Sequence, residues 1–72
     1  MNEQNNFQIT VIFEPENYSR LLPRPRSVTQ LLNRLKLKPC EVLVIRNGGL
    51  LTPDREILPG ETITLRSVVS RG

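Results

Sequence analysis

Phe7-Gln8-Ile9-Thr10-Val11-Ile12-Phe13 alternates, with Phe7, Ile9, Val11 and Phe13 on one side. A period of two marks a strand with one buried face, and it turns both phenylalanines toward the core. Glu14-Pro15-Glu16-Asn17 reads as a turn, because Pro and Asn suit turn dihedrals. Residues 18–22 return as a second, shorter strand. Pro23 and Pro25 then lack the amides that a ladder needs, so this strand lies at an edge or ends there.

Ser27-Val28-Thr29-Gln30 has the spacing of a capping box, in which the Ser hydroxyl accepts the third amide and Gln30 reaches back. Val28, Leu31, Leu32 and Leu35 follow at i, i+3, i+4 and i+7, one apolar stripe on a helix. Lys36 and Lys38 sit where positive charge favours a helix C-terminus, and Pro39 blocks extension. The spacing predicts a helix over 28–36. A helix this short needs a sheet to dock on. The expected docking uses Leu31, Leu32 and Leu35 against Ile9, Val11, Ile63 and Leu65.

Val42-Leu43-Val44-Ile45 is apolar on both parities, as in a strand buried on one face and partly covered on the other. Asn47-Gly48 is a strong hairpin signal, with Leu50-Leu51-Thr52 as the return strand. An irregular stretch from Pro53 follows, in which Ile57 and Leu58 are expected to plug the core. Pro59-Gly60 turns the chain into a last strand over 62–68, with Ile63 and Leu65 on one side and Thr64 and Arg66 on the other. The order is β-β-α-β-β-β, an α+β arrangement: a mixed sheet of four to five strands with one helix across one face. The first and last strands alternate most strongly and are expected side by side at the centre. They should run parallel, because the helix makes the connection a crossover. Residues 1–6 and 69–72 are expected to be flexible tails around a domain spanning 7–68.

The 72 residues allow one small domain, and with no Trp or His its core must be mainly Leu, Ile and Val. No apolar run reaches the roughly 20 residues that span a bilayer. The polar start has no signal-peptide pattern, so the expected compartment is the cytoplasm. A lone Cys40 forms no internal disulfide, and without His there is neither a credible metal cluster nor an activated thiol. No metal and no cofactor is expected. A net charge of +3 suits an acidic protein, a phosphate-rich ligand or nucleic acid, and does not choose among them.

Three stretches carry a family resemblance: the helix start from Ser27, Val42-Leu43-Val44-Ile45-Arg46-Asn47-Gly48, and Leu58-Pro59-Gly60-Glu61-Thr62-Ile63-Thr64-Leu65. Their order, and their distance from Gly72, resemble the ubiquitin-like β-grasp family over residues 7–72, and within it the sulfur carriers ThiS and MoaD. The chain looks more like ThiS, because Ser67-Val68-Val69-Ser70 does not supply the Pro-Pro-Val element of MoaD. The resemblance implies a carrier, not an enzyme. Its terminal Gly72 carboxylate would be adenylated by an ATP-dependent activating enzyme of the ThiF or MoeB kind. It would then be thiocarboxylated, to donate sulfur to an acceptor synthase or to be conjugated to a target. Val69, Ser70 and Arg71 would form the tail that enters the partner, and the free protein would be a monomer. Glycine suits the last position because it has no Cβ to obstruct a narrow channel.

One departure stands out. The family tail ends Gly-Gly, whereas this chain ends Arg71-Gly72. It fits a partner adapted to arginine, an altered or lost carrier role, or a natural end that differs.

Two other function classes stay open. One is a β-grasp interaction module that uses the sheet face away from the helix, with Leu43 or Ile45 as its anchor and Arg66 beside them. The other is a small basic RNA-associated domain built on Arg20, Arg24 and Arg26. Those arginines equally describe a solvated edge guarded against strand pairing. With both phenylalanines expected inside, the chain lacks the stacking platforms of single-strand binders, so nucleic acid is not the expected partner. Gly48, Gly49 and Gly60 read as turn residues, since no phosphate-loop spacing occurs.

Overall fold

The computed structural model describes residues 7–68 of the chain. Strands β1 (Gln8–Glu14) and β2 (Tyr18–Pro23) form a hairpin, and helix α1 (Val28–Leu35) follows. A 3-10 turn (Pro39–Glu41) leads into β3 (Val42–Arg46), and β4 (Gly49–Leu50) and β5 (Thr62–Ser67) complete the sheet. The order across the five-stranded sheet is β2-β1-β5-β3-β4. As the alternation predicts, β1 and β5 are central and parallel, while the other pairings are antiparallel.

The core is the aliphatic layer between α1 and one sheet face. Ile9, Val11, Ile63 and Leu65 from the central strands meet Val28, Leu31 and Leu32 from the helix, with Val42, Val44, Leu22 and Ile57 around them. Leu35 is only half-buried at the margin of this layer. No buried polar side chain interrupts the core among the described residues.

Three expectations change. Phe7 is 59% exposed, because it precedes β1 and lies past the end of the layer that covers Ile9. Phe13 is half-buried and stacks on Tyr18, with ring centroids 4.8 Å apart. Of the expected plug, Ile57 is fully buried but Leu58 is 50% exposed. β5 also ends one residue earlier than the spacing suggests, at Ser67.

The return strand of the second hairpin is short for a physical reason. Asn47 and Gly48 both have positive φ, as a two-residue type I′ turn requires, and Arg46 pairs with Gly49. After Leu50 the chain leaves the sheet and serves the start of α1. The first amides of a helix have no partners within it. Here the Val28 amide donates to the Arg55 carbonyl and the Thr29 amide to the Pro53 carbonyl, each at 3.0 Å. The Gln30 amide donates to Ser27 Oγ at 3.2 Å, the predicted cap. The reciprocal half of the box is shifted by one residue: Gln30 Oε1 accepts from the Arg26 amide, not from that of Ser27.

The helix stops one residue before the predicted end. Lys36 takes a left-handed conformation (φ 61°), its amide bonds to the Asn33 carbonyl, and the Leu37 amide bonds to the Leu32 carbonyl. This pair of bonds is a Schellman motif, and it returns Leu37 to the edge of the core.

The loop that caps α1 is pinned at Thr52, whose hydroxyl donates to Asp54 Oδ1 at 2.6 Å. That bond, more than Asp54's own backbone amide or Arg55, holds the Asp54 carboxyl below its ordinary value. A lowered carboxyl contributes stability above the unfolded-chain value, and the contribution is lost as pH falls through the folded one. Thr52→Val should move the Asp54 midpoint in an NMR titration back toward the ordinary value. An unchanged midpoint would remove the hydroxyl as its cause.

Candidate functional site

The residues proposed as the partner-entering tail, Val69, Ser70, Arg71 and Gly72, lie outside the described residues, as do residues 1–6. What is described is the root from which the tail leaves. β5 is held by β1 on one side and β3 on the other. Beyond its last residue, the Val68 amide donates to the Glu41 carbonyl at 3.0 Å. The chain is therefore fixed on both flanks up to Arg66 and on the β3 side up to Val68, at the sheet end that carries the β1–β2 turn.

Leu43, Ile45 and Arg66 do share one face, the one away from α1. On β3 the buried residues are Val42 and Val44, so Leu43 and Ile45 both point outward. The choice between them as an anchor dissolves. Register puts Leu43 opposite Arg66 and Ile45 opposite Thr64, with Thr64 in turn beside Ile12. Leu50 of β4 pairs with Ile45 and is 67% exposed. Ile12, Ile45 and Leu50 thus lie in one row across the sheet, with Leu43 next to it. Arg66 borders the row and donates through Nε to Glu14 at 2.9 Å, a partly exposed pair of small energetic weight. Sequence reasoning named Leu43, Ile45 and Arg66 but missed Ile12 and Leu50. The parity of β1 could have found Ile12, since it alternates away from Val11.

The arginines near the edge do not act as one group. β2 is an edge strand, which fits a guarded edge. Arg24 is engaged inward: its Nε donates to the Ile57 carbonyl at 2.8 Å, and its guanidinium lies 3.6 Å from Glu56. Arg20 and Arg26 are exposed. The exposure of Phe7 removes one argument against a stacking role, although Phe13 already covers one side of Tyr18. Cys40 is an exposed thiol in the 3-10 turn. Among the described residues no group of three or more His, Cys, Asp or Glu could hold a metal ion, and no helix is long and apolar enough to cross a membrane.

No protein-family model matches the chain, nor does any curated protein. Among solved structures it is similar to the NMR solution structure of a computationally designed protein based on the template of human erythrocytic ubiquitin. The TM-score is 0.66 and the identity 28%, over 90% of this chain and 95% of that one. The fold is a ubiquitin-like β-grasp. This similarity covers the sheet, the helix and the order in which they are joined, and it says nothing about sulfur.

Proposed function

We propose that this β-grasp protein is a carrier of the sulfur-transfer type, active in the cytoplasm, whose working group is the Gly72 carboxylate. The observation that carries the reading is the position of β5. This central strand is held by β1 and β3 and anchored again at Val68, four residues before Gly72. The resemblance of the Asn47-Gly48 turn and the Leu58-Pro59-Gly60-Glu61 approach to those of ThiS supports the same reading. In the proposed reaction the Gly72 carboxylate oxygen attacks the α-phosphorus of ATP and pyrophosphate leaves. A sulfide equivalent from the activation machinery then displaces AMP, and a thiocarboxylate remains. An activating enzyme supplies the chemistry and a sulfur-accepting synthase receives the product.

In this account the row of Ile12, Ile45 and Leu50, with Leu43 and Arg66 beside it, docks the activating enzyme while the tail enters its channel. Apolar anchors with a charged border are what a modest, transient interface needs. The same row supports a second reading, an interaction module that uses the sheet and never the tail. ATP–pyrophosphate exchange with an activating enzyme of the same organism tests the first reading. Exchange that depends on this protein supports it. Binding without exchange leaves the module.

A further inference from the structure

The geometry points to a second docking surface, on the helix side of the sheet, that takes a partner's peptide segment carrying an apolar side chain beside an arginine or lysine. An open groove of about 540 Å3 runs between the β1–β2 turn, β2 and the end of α1. Leu35 and Leu37 line its floor, and the Phe13–Tyr18 stack, with rings 13° from parallel, gives it a flat aromatic wall. Tyr18 is 50% exposed there.

Charge decides the occupant. The chain carries a net +3, yet Glu16 and Glu41 rim this one groove against a single Arg20, with Glu14 at its edge. Glu14 is occupied by Arg66, and Glu41 accepts the Lys38 amide through one oxygen. Glu16 makes no hydrogen bond or ion pair with the described residues. It is exposed and stands at the mouth of the groove. A guanidinium or ammonium placed over the Tyr18 ring would gain from the ring and from Glu16 and Glu41 together. Its aliphatic stem would lie on the Leu35–Leu37 floor. Because the groove is open along its length, it would leave a small cation largely wet, whereas a peptide segment can cover floor and rim at once. Leu43, Ile45 and Leu50 of the outer sheet face do not line it.

The test is an NMR titration of the isotope-labelled full chain with the blocked peptide acetyl-Gly-Leu-Ile-Arg-Leu-Gly-amide. Saturable shifts are expected at Glu16, Tyr18, Leu35, Leu37 and Glu41. The same peptide with Glu in place of Arg should bind at least about tenfold more weakly, through like-charge repulsion at the rim. Glu16→Gln and Tyr18→Ala should each weaken the Arg peptide severalfold, while Leu43→Ala should not. No saturable shifts, equal binding of the two peptides, or shifts centred on Leu43 and Ile45 would each overturn the proposal. So would a chain shortened after Val68 that binds the peptide about tenfold more tightly than the full chain. That result would make the groove's occupant the protein's own end.

Discussion

Leu31→Ala should lower the unfolding free energy by about 2–5 kcal/mol, the largest loss expected from any single helix position. Leu31 is fully buried in the core that α1 shares with β1 and β5. Truncation removes its transfer free energy and leaves a cavity that surrounding strands, each held on both sides, cannot close. A 72-residue domain at ordinary per-residue stability has roughly 4–11 kcal/mol in total, so this substitution alone puts the fold at risk. Leu32→Ala should fall lower in the range, because Leu32 borders an open cleft with Val42 and Val44 into which neighbours can relax. Leu35→Ala should cost least, since Leu35 is half-buried. Urea unfolding of the three variants checks the ranking. A loss below about half a kcal/mol for Leu31→Ala would refute this core.

The parts of the fold legible in the sequence were those with a period. The alternation of β1 and β5, the apolar stripe from Val28 to Leu35 and the Asn47-Gly48 turn each fix local geometry. Together they leave few ways to close a sheet over one helix. Phe7 and Leu58 were misplaced for complementary reasons. The period of β1 gives Phe7 a direction but not the extent of the layer above it. The stretch from Pro53 to Glu61 has no period at all, so nothing local separates Ile57 from Leu58. The shortness of β4 was hidden too, because the carbonyls of Pro53 and Arg55 beyond it satisfy the amides of Thr29 and Val28, far earlier in the chain. On the outer sheet face, Leu43 and Ile45 were legible as candidates, whereas their row with Ile12 and Leu50 exists only through register. The acidic groove could not be read in advance, since separate elements contribute its wall, floor and rim.

Substitution of Gly72 by a β-branched residue should abolish activation in the ATP–pyrophosphate exchange assay while leaving the fold unchanged. On the proposed carrier reading, a β-branched side chain at position 72 adds bulk where the partner's channel would pass only a bare backbone. Addition of a residue after Gly72 should have the same effect, because adenylation consumes a free α-carboxylate, and a protease that trims the extension should restore activity. Arg71→Gly should preserve or raise exchange with a ThiS-type activating enzyme, since it removes a long cationic side chain from the same passage. None of the variants alters a residue of the described core, so circular dichroism and thermal midpoints should match the parent protein. Exchange that survives a β-branched residue at position 72 would exclude Gly72 as the reacting group. Exchange by Arg71→Gly alone would mean that the natural chain kept the fold and left the pathway.

The direct measurement is the intact mass of the protein isolated from its native host without reducing or alkylating treatment. If Gly72 carries sulfur in the cell, a fraction of molecules should be heavier by about 16 Da, the exchange of one oxygen for sulfur, with fragmentation placing the gain on the C-terminal residue. A chain that ends at an unmodified Gly72 in every preparation, including cells that overproduce the activating enzyme, would contradict the carrier account.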